Sequence, residues 1–356
     1  MGGDDAPIEP VRAAARISRS TSLALLLVGK REVIEAELRR VKHERSQITV
    51  VDAREAIGMD EKPRAAIEAK PDASLLVAMR AVAAGEADAL VSAGSTGALV
   101  LAAAKILPRI PGIERAALAA VYPTRKRDSS SDPFALLLDV GATVRVRSHD
   151  LLFFAYMGSA YARAVSKTAR PTVGLLNMGS EASKGDAPLR QAYAWMRDDP
   201  RLNFVGNVEG NDIPTGGADV IVCEGYVGNI ALKMAEGVSE VFKSLGKQAF
   251  KQRLIWRVGL MLLSRGLRRL KDITDYREYG GAPLLGFRAP VIKAHGRSGE
   301  VAIANAIKVA AKAAREGVCQ EIERAVADFQ ARRAEAEQAA EEAVEQAASN
   351  AVEKEA

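Results

Sequence analysis

The stretch Ala89-Leu90-Val91-Ser92-Ala93-Gly94-Ser95-Thr96-Gly97-Ala98 leads from a short apolar run, through a glycine-containing turn, into an Ala/Leu-rich segment. Residues 89–92 have the length and composition of a buried strand, and residues 97–107 have those of a helix. Glycine lets a backbone approach a ligand closely, and a helix N-terminus attracts negative charge. The stretch therefore predicts a strand, a turn that can bind an anion, and a helix, although Ser95 or Thr96 could simply cap that helix.

The same alternation of strand-like and helix-like segments recurs along the chain. Further apolar runs of strand length lie at residues 23–28, 48–51, 117–121, 134–140, 172–176 and 219–222. Segments with helical spacing lie between most of them, at residues 31–40, 74–84, 150–165 and 187–197. This pattern predicts an α/β fold with a mainly parallel sheet that is covered by helices on both faces.

Glycine-containing polar segments follow several of the apolar runs. Residues 92–97, 139–141, 177–184 and 224–229 each come directly after such a run. Ligands bind at the carboxyl ends of the strands in parallel sheets. We therefore expect these loops to meet at one edge of the sheet, where their N–H groups and those of Met1-Gly2-Gly3-Asp4 would form an anion site.

Composition narrows the class of protein. The chain has 356 residues, of which 48% are hydrophobic and 27% charged, as in an ordinary soluble globular protein. Its two cysteines, Cys223 and Cys319, have no disulfide or metal-site spacing, so we expect a cytoplasmic protein with no metal and no other cofactor, and a buried, structural Cys223. The net charge of +5 suits an acidic partner. Aromatic residues make up only 5% and do not alternate with basic ones, which argues against nucleic-acid binding.

Three segments are specific enough to be compared with a known family: residues 279–286 (Tyr-Gly-Gly-Ala-Pro-Leu-Leu-Gly), 293–296 (Lys-Ala-His-Gly) and 203–212 (Asn-Phe-Val-Gly-Asn-Val-Glu-Gly-Asn-Asp). Together with the order of the glycine-rich loops, they resemble the phosphate acyltransferase family of bacterial phospholipid synthesis. The resemblance extends from Met1 to about residue 315. Residues Ser95, Glu224 and Tyr226 depart from the family pattern, which usually has Asn, Asp and Phe there.

The resemblance implies a three-layer α/β/α sandwich similar to the isocitrate dehydrogenase and phosphotransacetylase folds, with a protruding amphipathic helical segment. It implies transfer of a long-chain acyl group from acyl carrier protein to inorganic phosphate. The acyl phosphate would serve a membrane glycerol-3-phosphate acyltransferase, and the enzyme would be a cytoplasmic homodimer with peripheral membrane contact. We expect one domain over residues 1–330 and an Ala/Glu-rich tail over 331–356, which is a solvated helix or disordered. The family has a strand just upstream of the position of Met1. Either the start codon is assigned too late or this protein has lost that strand, and we favour the first interpretation because a lost strand would expose backbone groups and apolar neighbours.

The resemblance and the residue chemistry together give the candidate site residues. Lys184 and Asn229 match family positions. Lys184 would bind phosphate or the developing oxyanion, Asn229 would donate to the acyl carbonyl, and His295 would act as a general acid or donate to phosphate. Each of these residues could instead have no catalytic role. Lys184 could be solvated and paired with Glu181, Asn229 could cap a helix beginning near Ile230, and His295 could be structural. The candidate phosphate- and substrate-binding residues are Gly2, Gly3, Asp4, Gly94, Ser95, Thr96, Gly97, Asn177, Gly179, Glu181, Gly228, Gly280 and Gly281.

Residues 245–275 have a different character. Leu254, Val258, Met261 and Leu262 recur at helical spacing among several arginines, which is typical of a helix that lies on a membrane surface or packs against a second subunit. We expect these four residues to contact the membrane.

Other functions are possible from the sequence alone. A short-chain acyl-coenzyme A phosphate transferase would need no membrane contact, and a non-catalytic membrane-docked scaffold for acyl carrier protein would need no site. Hydride transfer is the weakest alternative, because the chain has no complete dinucleotide-binding motif.

Overall fold

A computed structural model describes residues 1–124, 134–252, 255, 259, 261–263 and 280–355. The strands in this part of the chain are β1 Leu25–Gly29, β2 Ile48–Asp52, β3 Leu90–Ser92, β4 Ala117–Pro123, β5 Phe134–Leu138, β6 Thr172–Leu176, β7 Asn203–Val208, β8 Val220–Val222, β9 Ala282–Leu285 and β10 Val291–Lys293. The helices are α1 Ile8–Ser20, α2 Arg31–Leu38, α3 Pro63–Ala69, α4 Ser74–Ala83, α5 Thr96–Ile106, α6 Ser148–Tyr161, α7 Ala187–Asp198, α8 Asp212–Thr215, α9 Gly225–Gln252, α10 Glu300–Arg315 and α11 Val318–Glu355. None of the helices described is long and apolar enough to cross a membrane.

The large sheet contains two parallel groups of strands that run in opposite directions. Its order is β3-β10-β9-β4-β5-β8-β6-β7. β3 is parallel to β10, and β5, β8, β6 and β7 are parallel to one another, whereas the β10–β9, β9–β4 and β4–β5 pairings are antiparallel. The predicted mainly parallel sheet is confirmed, but β9 and β4 reverse the direction between its two parallel groups.

This reversal separates the glycine-containing loops. Residues 92–97 follow β3 at one edge of the sheet, while residues 139–141, 177–184 and 224–229 follow β5, β6 and β8 at the opposite edge. The expectation that all of them meet at one edge is therefore wrong. Apolar runs show where strands lie, but not the direction in which each joins the sheet.

Alternation along the strands sends side chains into two helical layers. Leu136 and Leu138 of β5 pack against α6, α7 and α11, while Ala135 and Leu137 face α3, α4 and α5. α6 contacts both the sheet and α11, which is why its residues are buried on every side. The predicted α/β/α sandwich is confirmed.

β1 and β2 form a separate parallel pair that packs with α1 and α2. The first residues of the chain lie between this pair and the large sheet. Met1 contacts the end of β1 at Gly29, and Gly2 lies against Gly94, just after β3. The Met1–Asp4 segment is therefore close to the turn that begins α5.

The C-terminal helix α11 is attached to the sandwich at least as far as Arg333. Val318 and Val326 belong to the core, Arg332 forms an ion pair with Asp199 at 3.0 Å, and the guanidinium of Arg333 lies 5.5 Å from the centre of the Trp195 ring. The helix then continues to Glu355 through the segment predicted as a tail. Contacts with the sandwich thus extend slightly beyond the boundary expected at residue 330.

Asp199 is the centre of this attachment, and we expect Asp199→Ala to lower the free energy of unfolding by about 2–4 kcal/mol. Its buried carboxylate accepts hydrogen bonds from the Tyr156 hydroxyl, from the Arg201 N–H at 3.0 Å and from Arg332. Removing it leaves the buried Tyr156 hydroxyl, the Arg201 backbone N–H and the Arg332 guanidinium without this acceptor. Urea unfolding measured by circular dichroism checks the value.

Asp198→Ala is the matched control, because the neighbouring Asp198 is exposed and pairs only with Arg197 among the described residues. It should leave the free energy of unfolding close to that of the wild type. Burial opposes ionisation of Asp199, but the Tyr156 hydroxyl and the Arg201 N–H outweigh it and lower the pKa of Asp199. The stability that it contributes is therefore present above the unfolded pKa of about 3.9 and lost as the pH falls through the folded value. Equal stability of the two variants would contradict this account.

Candidate active site

A cleft of about 570 Å³ lies on one face of the large sheet, above β4. α5 forms one wall and α9 the other. Its volume is typical of sites for small-molecule ligands. The walls and floor are mostly apolar and include Val100, Leu101, Leu118, Ala120, Val140 and Leu232.

The side of the cleft next to β3 and β10 is polar. Lys293 and His295, from the end of β10, line it together with Thr96 and Gly97, from the start of α5. These residues meet because Lys293 pairs with Ser92 in the parallel ladder of β10 and β3. The Nδ1 atom of His295 accepts the Arg297 N–H at 3.2 Å, so a neutral ring carries its proton on Nε2. This side of the cleft therefore combines a cation, a helix N-terminus and a histidine.

The opposite side is organised by Asp139, which is fully buried at the end of β5. Its carboxylate accepts the N–H groups of Leu118, Gly141, Ala142 and Thr143 at 2.9, 3.0, 3.0 and 2.7 Å. Burial raises the pKa of Asp139, and the backbone donors oppose that shift. Asp139 thereby fixes the loop of residues 140–144, which lines the cleft.

The first turn of α9 packs tightly on this loop. A side chain at Gly225 would overlap the carbonyl oxygen of Thr143, and one at Gly228 would overlap that of Asp139. Gly228 was predicted to bind substrate, but it does not line the cleft and is placed where only glycine fits. It positions the next residue, Asn229.

Asn229 lines the cleft, with its carboxamide beside Gly141. α9 begins at Gly225, so Asn229 lies inside the helix, and the alternative that it caps a helix beginning near Ile230 is wrong. The carboxamide of Asn229 has no hydrogen-bond partner within the described part of the chain. It is therefore available to donate to a ligand.

Replacing Gly228 by alanine tests this packing, and we expect the free energy of unfolding to fall by about 2–3 kcal/mol because the added methyl group overpacks a rigid contact. Turnover should fall as well, since α9 must move and take Asn229 with it. Thermal unfolding and a kinetic assay of the same preparation check both effects.

Gly246→Ala is the matched control on the same helix. An added Cβ at Gly246 meets no atom within 4 Å, so the helix preference of alanine should stabilise the protein by about 0.5–1 kcal/mol. Loss of stability in Gly246→Ala equal to that in Gly228→Ala would show that the effect does not come from the contact with Asp139.

The loop after β6 carries Lys184 but does not line the cleft. Lys184 lies 3.8 Å from Glu181, Asn177 donates to the Lys184 carbonyl oxygen at 3.1 Å, and Gly179 lies beneath both charged side chains. The ion pair between Lys184 and Glu181, which we considered as the non-catalytic alternative for Lys184, is thus present. Asn177, Gly179 and Glu181 contribute to the shape of this loop rather than to the cleft surface.

The remaining predicted residues surround the polar side of the cleft. The hydroxyl of Ser95 accepts the Ala98 N–H at 3.5 Å and so caps α5, as the alternative interpretation proposed. Asp4 donates its N–H to the Gly296 carbonyl oxygen at 3.0 Å, and Gly3 lies against Ala93.

The two glycines before β9 have different roles, since one packs against a helix and the other lines the cleft. Gly280 has a positive φ of 95° and packs on α10 at Val309. Gly281 lines the cleft beside Lys293. Thr96, Gly97, Asn229, Gly281 and His295 are therefore the candidate residues that share the cleft.

Two residues at the site were not among the candidates. Asp139 follows an apolar run and precedes Gly141-Ala142-Thr143, a pattern in which an aspartate accepts nearby N–H groups. Lys293 lies inside the segment that carries the family resemblance, and its position in an otherwise apolar strand was the available signal. Cys223 is buried, which raises its pKa far above the ordinary value, so the prediction of a structural thiol holds. The described residues include no cluster of three His, Cys, Asp or Glu side chains that could hold a metal ion.

Solved structures identify the fold. A phosphotransacetylase from Streptococcus pyogenes superimposes with a TM-score of 0.61 at 20% identity, covering 87% of this chain and 92% of that one. The EutD phosphotransacetylase from Staphylococcus aureus gives a TM-score of 0.56 at 16% identity, covering 86% and 92%. The chain therefore has the α/β fold of the phosphotransacetylases.

Sequence comparison identifies the family. Residues 1–321 match the family described as fatty acid synthesis protein. A phosphate acyltransferase from Heliobacterium modesticaldum is 46% identical over 321 residues, which is 90% of this chain and 92% of that protein. A phosphate acyltransferase from Nitratidesulfovibrio vulgaris is 42% identical over 311 residues, covering 87% and 88%. The chain belongs to the phosphate acyltransferase family and is an acyltransferase.

Proposed function

We propose that this enzyme transfers a long-chain acyl group from acyl carrier protein to inorganic phosphate, giving acyl phosphate and the free carrier thiol. The observation that carries the proposal is the cleft, in which polar groups next to β3 and β10 adjoin an apolar channel between α5 and α9. The polar side suits phosphate and the channel suits an acyl chain. The thioester carbonyl would lie between them, within reach of Asn229.

The reaction needs positioning more than a strong base. An oxygen of phosphate attacks the thioester carbonyl carbon, the C–S bond breaks, and the carrier thiolate leaves and takes up a proton. Phosphate is already nucleophilic near neutral pH, and thiols with a pKa of about 8.5 leave readily. The protein supplies alignment and donors for the tetrahedral oxyanion. Asn229 donates to that oxyanion, and the Nε2–H of His295 can donate a hydrogen bond to the departing thiolate, which takes its proton from solvent.

The test is an assay with palmitoyl-acyl carrier protein and radiolabelled inorganic phosphate. We expect label to appear in an organic-extractable acyl phosphate, with an equal amount of free carrier thiol, and only when both substrates are present. Absence of product from palmitoyl-acyl carrier protein would reject the proposal.

The same assay separates the alternatives. A faster reaction with acetyl- or butyryl-coenzyme A would favour a short-chain phosphate transferase. Binding of the carrier protein without turnover of any donor would favour the scaffold. Delivery of the product to a membrane glycerol-3-phosphate acyltransferase is part of the proposal, and the exposed side chains of Met261 and Leu262 support peripheral membrane contact. Leu254 and Val258, which were predicted to share that contact, lie outside the described residues.

An exposed apolar stripe on α9 supports a homodimer. Its members recur every three or four residues and therefore lie on one face of the helix: Val227, Ile230, Met234, Val238, Val241 and Leu245. A stripe of this length on a helix of 28 residues is well suited to packing against the same helix of a second copy.

We expect Val238→Glu to convert the dimer to a monomer, because a carboxylate near the middle of the stripe would be buried without a partner. Size-exclusion chromatography with light scattering measures the mass. Ser239→Glu introduces the same charge about 100° around the helix and should leave the dimer intact. A monomeric wild type, or dissociation of both variants, would contradict the assignment of the interface to this stripe.

A further inference from the structure

Lys293 is a buried lysine whose charge is only partly compensated. The residue is 8% exposed, lies between Ser92 and Ala282 in the sheet and lines the cleft. Its ammonium group donates to the carbonyl oxygen of Ala294. Lysine is almost never buried without a charged partner. Within the described residues, no carboxylate lies within ion-pair distance of Lys293.

Among the described residues, the charges around Lys293 leave a positive excess. Asp4 is the carboxylate that acts on it, and Asp4 also forms an ion pair with Arg297 at 3.8 Å. One carboxylate thus serves two cations. Burial lowers the pKa of Lys293 to about 8, and Asp4 opposes that shift only partly. An anion bound in the cleft would supply the missing negative charge.

Backbone donors complete the surroundings of this group. The N–H groups of Thr96 and Gly97, in the first turn of α5, have no hydrogen-bond partner in the described part of the chain, and both residues line the same side of the cleft. The nearby N-terminus of α10 is already occupied, because the Glu300 N–H donates to the Glu9 carboxylate at 2.5 Å. Of these two helices, α5 therefore has the open anion-binding end.

We infer that Lys293 is the phosphate anchor of the active site, holding one face of the phosphate ion against the N–H groups of Thr96 and Gly97. The inference rests on the proposed function and specifies its acceptor subsite. In this arrangement Lys293 and α5 bind the phosphate from the side of β10. Another phosphate oxygen then remains free to face the channel in which Asn229 lies.

The first test measures binding of inorganic phosphate alone, by isothermal titration calorimetry at pH 7. Lys293→Met, which keeps the length of the side chain without its charge, should raise the Kd about tenfold or more, and Lys293→Arg should raise it less. Lys312→Met is the matched control, since Lys312 is also partly buried and donates to a backbone oxygen, that of Val165, away from the cleft. It should bind phosphate as the wild type does. Failure of the wild type to bind phosphate, or an unchanged Kd in a folded Lys293→Met, would overturn the inference.

The second test needs no substitution. Acetic anhydride should label Lys293 of the wild-type protein near pH 8, and inorganic phosphate should protect Lys293 but not Lys312, as read by peptide mass spectrometry. Equal labelling of Lys293 with and without phosphate would overturn the inference. Protection by pantetheine, which carries no phosphate, in place of inorganic phosphate would assign the site to the carrier arm and overturn the inference too.

These tests separate the subsite from the proposed reaction. Phosphate binding that depends on Lys293, in a protein that forms no acyl phosphate from any donor, would retain the anchor and reject the proposed function. Formation of acyl phosphate with an unchanged KM for phosphate in Lys293→Met would retain the proposed function and reject Lys293 as the phosphate anchor.

Discussion

Replacing Asn229 by alanine should lower the turnover number for acyl phosphate formation about 10²–10³-fold, the loss expected when one oxyanion donor is removed. Asn229 lines the cleft, and its carboxamide is unpartnered among the described residues. The rigid first turn of α9, packed on the loop that Asp139 holds, sets its position. Because the donor is fixed before substrate binds, it costs no reorganisation in the transition state. Steady-state kinetics with palmitoyl-acyl carrier protein and phosphate measure the effect.

The kinetic parameter that changes in Asn229→Ala shows at which stage of the reaction Asn229 acts. An interaction made only in the transition state lowers kcat and kcat/KM together, whereas one made equally with bound substrate raises KM alone. Asn229→Asp keeps the size of the side chain but replaces the donor by a carboxylate, so it should be no more active than Asn229→Ala. Asn203→Ala removes an amide that binds the Arg170 carbonyl oxygen outside the cleft and should keep wild-type kinetics. Near-wild-type turnover of Asn229→Asp would exclude the role of oxyanion donor.

The architecture could be predicted from the sequence, but the direction of its central strands could not. The apolar run at residues 117–121 became β4, Ala117–Pro123, close to the expected position. Its antiparallel pairing with β5 and β9 depends on contacts between segments far apart in the chain. No local pattern encodes such pairing. The loops predicted at one edge therefore lie at two, and the cleft, which lies across the face of the sheet, joins three of them: residues 92–97, 139–141 and 224–229.

Glycine is the residue whose role the sequence leaves most ambiguous. Gly97 and Gly281 line the cleft, whereas Gly228 and Gly280 occupy positions where a side chain would collide with the protein itself. Both uses exploit the missing Cβ, and the sequence alone does not show whether the space is filled by a ligand or by another backbone. Lys293 was missed for a related reason, because a lysine at the end of a strand is usually solvated.

For Lys184, the family resemblance and the structure differ most: the resemblance implies a role in catalysis, whereas the structure places Lys184 outside the cleft. It lies on the β6–α7 loop outside the cleft, with a half-exposed side chain. Its ion pair with Glu181 is worth at most about 1 kcal/mol, so it holds Lys184 only weakly. The loop is also close to the start of α9. Burial raises the pKa of Glu224, the residue before that helix, and the charge of Asp186 at the end of the loop raises it further. The role that the family resemblance implies requires the flexible stem of Lys184 to carry its ammonium group from this loop to the side of the cleft where Asn229 lies.

We accordingly expect Lys184→Ala to lower turnover about 10²-fold, with little change in stability because an exposed side chain is lost. Glu181→Gln releases Lys184 from its ion pair and should change turnover by no more than about fivefold. Lys167→Ala removes an exposed lysine that pairs with Glu316 at 2.8 Å, away from the cleft, and should leave kinetics unchanged. Single-turnover rates at saturating phosphate separate the chemical step from substrate binding. Wild-type rates in Lys184→Ala would show that Lys184 has no catalytic role beyond its ion pair with Glu181. Stabilisation of the oxyanion would then depend on Asn229 and the polar groups beside β10.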